Sequence, residues 1–250
     1  MIAAALLSLE AARWQGGVLV DTPIRHALRA PTAEERHAAN VESNALLYSM
    51  VVMPTMSAAM SAPSLADAAG LMAVTAETFA VTYGLVTLIK AVSRRERPYA
   101  TEAGLSAHCV EDPHDAQCKK DRNASFFSGH SATAFAGAGL VCVEQMSIAP
   151  KYGAIGCGAA MTLAGATALL RIIADKHYAT DTLVGALVGL AAGALLPYAL
   201  HFASWAPFPV ARDMRVTPEA NRVTVAPQAA FQVAPWGAPG GAGMALSFLF

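Results

Sequence analysis

Residues 153–200 read GAIGCGAAMTLAGATALL, RIIADKHYATD, TLVGALVGLAAGALLPYAL: two uncharged apolar runs, 153–170 and 182–200, joined by a short stretch carrying Arg171, Asp175, Lys176, His177 and Asp181. Each run is about as long as a helix that spans a bilayer, roughly 20 residues. A connection this short makes neighbouring helices antiparallel. Arg171, at the exit of the first, is therefore predicted at the same end of the pair as His177 and Asp181, at the entrance of the second.

The same pattern extends toward the N-terminus. Apolar segments run from about 45 to 60, 65 to 92, 131 to 145, 152 to 173 and 180 to 202. Pro63-Ser64, with Asp67 three residues on, reads as a break and a helix start, and Ala149-Pro150-Lys151 as a tight turn. The expected fold is all-α, an antiparallel bundle of about five to six helices. In an up-and-down bundle Lys90, Ser128-Gly129-His130, Arg171 and His177 to Asp181 all fall on one side, so three separate polar clusters become one site.

Three units are expected along the chain. Residues 1–43 mix Asp21, Pro23, Arg25 and Arg29 around a short amphipathic stretch and read as a peripheral or interfacial helix and loop. Residues 44–206 form the bundle. Residues 207–250 alternate at 223–225 and 231–233, turn rich in Gly and Pro over 235–243 and end apolar, which suggests a short β-hairpin or a loosely attached tail.

Composition narrows the class. Charged residues make up 14% and hydrophobic ones 55%, where a soluble domain averages roughly 25% charged. A membrane bundle follows, with a soluble helical core as the alternative because Ala and Gly supply much of the apolar length. The net charge of -1 and the lack of lysine runs exclude a nucleic-acid surface. Residues 94–127 form a polar loop. Within it, Cys109 and Cys118 fit either a disulfide in an oxidising compartment or two free thiols, while Cys142 and Cys157 fall inside apolar segments. Asn123-Ala124-Ser125 matches a glycosylation acceptor of low specificity. Met1 to Leu9 lacks the basic start and cleavage site of a signal peptide.

The clusters suggest phosphate chemistry. Lys90 and Arg97 are seven apart, so on a continued helix both cations face one anion, until Pro98 ends it. Ser128-Gly129 ahead of an apolar helix offers backbone N–H groups and a hydroxyl, with Gly allowing close approach. His177 and Asp181, four apart, place a carboxylate beside an imidazole and leave its other nitrogen free. His130 is the candidate proton donor. Taken singly, Lys90 reads as a snorkelling lysine, Arg171 as a helix-dipole partner and His177 with Asp181 as a helix-stabilising pair. Jointly these readings give no reason for three cations, two histidines and a carboxylate to gather at one end.

Lys90, six residues, Arg97-Pro98; Ser128-Gly129-His130; and Arg171, five residues, His177, three residues, Asp181 closely resemble the three-part signature of the type 2 phosphatidic acid phosphatase superfamily. It includes lipid phosphate phosphatases, class A acid phosphatases and vanadium haloperoxidases. Two positions depart from its pattern: Phe127 stands where Pro is usual and Leu170 where Ser is usual. The resemblance implies that His177 attacks phosphorus, Asp181 fixes its tautomer and His130 protonates the leaving oxygen. Lys90, Arg97, Arg171, Ser128 and Gly129 would hold the phosphoryl oxygens, with no metal or other cofactor.

The expected substrate is a lipid phosphate or polyprenyl diphosphate. The expected location is a bacterial inner membrane with the site on the extracytoplasmic side. Alternatives are a soluble periplasmic acid phosphatase, a vanadate-binding relative and a non-catalytic lipid-binding protein with a relict site.

Overall fold

In the computed structural model, residue 17 and residues 20–62, 64–100, 121–148, 150–202, 231–238 and 241–248 are described. Cys109 and Cys118 lie outside them, as does the alternating stretch 223–225. The elements are α1 (Asp21–Leu28), α2 (Ala33–Ser61), α3 (Leu65–Ser93), a 3₁₀ turn (Pro98–Ala100), α4 (Gly129–Ile148), α5 (Pro150–Ile173) and α6 (Ala179–Leu190). Two π-helical stretches, Ala191–Leu195 and Tyr198–Phe202, follow α6, and β1 (Phe231–Ala238) pairs antiparallel with β2 (Gly241–Phe248). The register matches Phe231 with Phe248 and Ala238 with Gly241. The expected short β-hairpin is thus present over 231–238 and 241–248, and the Gly- and Pro-rich residues supply parts of both strands.

Helix starts follow local chemistry. Thr32 and Glu35 form a capping box, the Glu35 N–H donating to Thr32 Oγ1 at 3.2 Å and the Thr32 N–H to Glu35 Oε2 at 3.1 Å. This box opens α2 at Ala33, twelve residues ahead of the apolar segment read from the sequence, so the expected boundary at 43/44 falls inside one continuous helix. Ser64 caps α3 as expected, accepting from the Asp67 N–H at 3.2 Å.

Helix α4 is the axis of the bundle, touching α2, α3, α5 and α6. Its Ala132, Ala134, Ala136 and Ala138 are fully buried. Small side chains there let backbones approach: α6 and its continuation lay Gly185, Gly189 and Gly193 against Ser128, Ala132 and Ala136. A Cβ at Gly189 would sit 2.2 Å from the Ala132 carbonyl oxygen. Gly189→Val is therefore expected to cost about 1–3 kcal/mol or more by forcing the helices apart, read as a lower thermal midpoint in detergent. A disulfide joins Cys142 of α4 to Cys157 of α5, 15 residues apart. A loop of that length contributes about 3 kcal/mol through loss of chain entropy in the unfolded state.

Three helical stretches, Leu65–Ala100, Gly153–Ile173 and Ala179–Phe202, are long and apolar enough to cross a membrane. Their large apolar side chains point outward at Tyr83, Leu88, Val92, Ile155, Leu183, Leu187 and Leu195, as expected where lipid rather than water is the neighbour. The sequence expectation of a membrane-embedded all-α bundle is met.

Helix α1 differs from the peripheral helix expected. Its Asp21 and Arg25 are buried, because their partners lie far along the chain: Arg95 and Thr180 for Asp21, and Asp175 for Arg25.

Candidate active site

The exit of α3, the entrance of α4, the exit of α5 and the entrance of α6 meet at one end of the bundle, as the up-and-down order requires. Lys90 lies in the last turn of α3. A Cβ on Gly129, the first residue of α4, would lie 3.7 Å from its Nζ. The helix does not continue from Lys90 to Arg97, the condition on which the two would share a face. It ends at Ser93, and Arg94 turns the chain with a left-handed φ of 46° while its N–H donates to the Lys90 carbonyl. Arg97 is fixed otherwise: its Nε donates to the Asp121 carbonyl and its backbone N–H to the Arg122 carbonyl, both at 2.8 Å.

His177 is buried in the connection between α5 and α6. Its Nδ1 lies 2.8 Å from the Ser125 carbonyl oxygen and 3.8 Å from Asp181 Oδ2. A carbonyl only accepts, so Nδ1 carries the hydrogen and Nε2 keeps its lone pair. The sequence reading gave the task of fixing the tautomer to Asp181; the hydrogen bond that does so comes from Ser125. Asp181 stands one step behind. Its Oδ2 accepts from Ser125 Oγ at 2.6 Å and from the Tyr178 N–H at 3.0 Å, and its Oδ1 from Arg95 Nη1 at 2.5 Å. The Asn-Ala-Ser tripeptide thus contributes a wholly buried Ser125, while its Asn123 is exposed.

Arg95, between the expected site residues Lys90 and Arg97, is 2% exposed and joins three segments. Besides Asp181 it reaches Thr180 Oγ1 at 2.9 Å and Asp21 Oδ2 at 2.8 Å, and its guanidinium lies 4.4 Å from the Tyr178 ring centroid. Asp21 accepts the Thr180 N–H at 2.9 Å, and Arg25 grips Asp175 through two hydrogen bonds of 2.6 and 2.7 Å. Asp175 holds a left-handed φ of 58°, a conformation that costs a non-glycine residue about 1 kcal/mol or more and is held here by its ion pairs. Nothing in the sequence singled out Arg95, Asp21 or Arg25 for this work.

The anion-binding groups complete the site. Arg171 is 3% exposed; its Nη1 donates to Asn40 Oδ1 at 2.7 Å and Ser43 Oγ at 3.1 Å, while its Nε is buried with no hydrogen-bond partner among the described residues. Such an orphaned donor is costly unless a ligand takes it. His130 Nε2 is 2.7 Å from Asn44 Oδ1. The Ser128 N–H, expected to be open to an anion, donates to the Asp181 carbonyl at 3.0 Å, and its Oγ accepts the Ser131 N–H at 3.3 Å. Its hydroxyl hydrogen remains to donate. Phe127, at the departure from the Pro pattern, packs with Val86 and Ala132.

Lys176 is a further cation the sequence reading did not select. Its Nζ lies 4.8 Å from the Tyr99 ring centroid, and burial, with the repulsion of Arg97 and Arg171, pushes its pKa down to about 8. Burial first, and then the cations Arg97, Arg171 and Lys90, hold the His177 imidazole well below the usual histidine range. His177 is therefore neutral at physiological pH and surrounded by positive charge. Among the described residues no group of three His, Cys, Asp or Glu side chains is placed to hold a metal ion.

Comparison with known proteins agrees with this arrangement. A stretch of 71 residues is 44% identical to the lipid A 1-phosphatase of Porphyromonas gingivalis, covering 28% of this chain and 15% of that protein. No solved structure matches significantly. Residues 71–205, just over half of the chain, match the model of the PAP2 superfamily. The matched stretch contains all three polar clusters in order, and the fold brings their helix ends together: the chain belongs to the PAP2 superfamily, that of the type 2 phosphatidic acid phosphatases.

Proposed function

We propose that this protein is a phosphatase that cleaves phosphate esters or diphosphates of lipids through a phosphohistidine on His177. The observation that carries the reading is the His177 ring: Nδ1 donates to the Ser125 carbonyl, so the lone pair of Nε2 is available beside a buried arginine with an unused donor. In the first step an Nε2–phosphorus bond forms as the phosphorus–oxygen ester bond breaks, and the leaving oxygen takes a proton from His130. In the second, water attacks phosphorus, gives a proton to His130, and frees His177 with inorganic phosphate. Lys90, Arg97, Arg171, the Ser128 hydroxyl and the Gly129 amide would hold the phosphoryl oxygens and neutralise charge growing on them. Asp181 acts through Ser125 and the Tyr178 amide, as a positioning residue.

Three helices fit to cross a membrane favour a substrate whose tail stays in lipid, and the likeness to a lipid A 1-phosphatase points the same way. We place the protein in a bacterial inner membrane, with the site on the extracytoplasmic face. Purified protein should release inorganic phosphate from phosphatidic acid or a polyprenyl diphosphate in mixed micelles with a higher kcat/KM than from p-nitrophenyl phosphate, and with chelator present. A preference for the soluble ester would replace the reading by that of a non-specific acid phosphatase.

The pH dependence follows from the depressed His177 pKa. The attacking ring must be neutral, so kcat/KM is expected to show no loss through His177 as pH falls across the ordinary histidine value of about 6.5. Stability behaves oppositely. The unfolded imidazole binds a proton below that value while the folded one does not, so this group lowers stability progressively as pH falls from about 6.5 toward its folded pKa. Chemical denaturation at a series of pH values separates the two effects.

A further inference from the structure

Helix α2 lies outside the stretch matched to the family, yet one of its faces reaches the site. Asn40, Ser43 and Asn44 are spaced i, i+3 and i+4 and so share that face. Asn40 and Ser43 hold Arg171, while Asn44 meets His130. The Asn44 side-chain carbonyl oxygen only accepts, so the hydrogen at 2.7 Å belongs to His130 Nε2. This leaves Nδ1 as the nitrogen that gains and passes on a proton. Burial first, and then the cations Arg171 on α5, Arg97 and Lys90 on α3, oppose an imidazolium at His130; an oriented carbonyl dipole offsets part of that opposition.

We infer that Asn44 is a positioning residue for acid catalysis, holding His130 as the Nε2–H tautomer so that Nδ1 delivers the proton to the leaving oxygen. The inference rests on the phosphatase reading above. While the His177 Nε2–phosphorus bond forms and the phosphorus–oxygen bond breaks, that oxygen leaves as an alcohol because Nδ1–H supplies its proton. An alkyl ester needs the proton, since an alkoxide is a poor leaving group. A nitrophenyl ester leaves as a stable phenolate and needs it little.

The test compares leaving groups in full-length protein. Asn44→Ala is expected to lower kcat on a lipid alkyl phosphate by about 10–100-fold, the worth of one hydrogen bond to a charged group, while kcat on p-nitrophenyl phosphate falls far less and KM changes little on either. Asn44→Asp keeps an acceptor at the same place. It should recover most of the alkyl-ester rate and move the alkaline limb of the pH profile upward, because a carboxylate stabilises the imidazolium. An equal loss on both esters in Asn44→Ala, or no recovery in an Asn44→Asp protein of normal thermal midpoint, would overturn the inference. His177→Ala reports separately on the parent reading: if that variant keeps its rate on both esters, the phosphohistidine reading fails whatever Asn44 does.

Discussion

Replacing His177 by alanine is expected to abolish phosphate release, by about 10⁴-fold or more in kcat, because on the proposed mechanism its Nε2 forms the covalent intermediate. The other imidazole, His130, donates through Nε2 to Asn44 and is the proposed acid through Nδ1, and the carboxylate of Asp181 is engaged by Ser125, Tyr178 and Arg95. Folding should survive the change, since the ring's hydrogen bond to the Ser125 carbonyl, its one among the described residues, contributes about 1 kcal/mol. Wild-type protein mixed with labelled substrate and quenched in alkali should carry label on His177, as phosphohistidine is stable to base and labile to acid. His177→Ala should carry none. A variant that folds and still releases phosphate at the wild-type rate would remove the nucleophile from this account.

The second large effect concerns Arg95, which lies outside the expected anion-binding residues. Its guanidinium bridges Asp181 and Asp21, both fully buried. Arg95→Ala would leave two carboxylates without that counter-charge, at a cost of about 3–5 kcal/mol. Lysine is no substitute, because a single ammonium cannot fork to two acids and lie flat on Tyr178. Arg95→Lys should therefore fall well short of wild type in both thermal midpoint and rate. Activity should drop along with stability, since Asp181 positions Ser125, whose carbonyl fixes the His177 tautomer. A thermal scan of detergent-solubilised variants, with phosphate release measured below the transition, tests both parts. A fully stable Arg95→Ala protein would mean that Asp21 and Asp181 find other compensation.

What the sequence disclosed and what it hid divide along a physical line. Apolar runs of spanning length, and the short connection between α5 and α6, sufficed for the bundle and for the meeting of its helix ends. The three motifs named the histidines and three of the cations. Hidden were the contacts that hold these residues. Ser125 and Asn44 are single polar residues whose partners lie 52 and 86 positions away, and no local pattern marks such pairs. Arg95 stands in a run with Arg94 and Arg97, where composition cannot separate a buried bridge from an exposed charge. The helix end at Ser93 agrees with the apolar run to 92, but its left-handed turn at Arg94 was hidden because glycine usually signals one. The i,i+4 spacing did bring Asp181 near His177, but the Tyr178 amide and Ser125 compete for the carboxylate and stop it at 3.8 Å. Cys142 and Cys157 could have been paired, since they lie equally far from the turn at Ala149-Pro150 in an antiparallel hairpin.

The anchoring of α1 through its buried Asp21 and Arg25 bears on how the protein could be dissected. A fragment trimmed to residues 71–205 keeps every signature residue from Lys90 to Asp181, yet it discards Asp21, Arg25, Arg29 and the whole of α2. In that fragment Thr180 and Asp175 lose the side chains from the N-terminal segment that grip them, and Arg171 loses Asn40 and Ser43. The signature is therefore portable as a pattern but not as a part: grafting or minimising this protein has to begin upstream of Asp21.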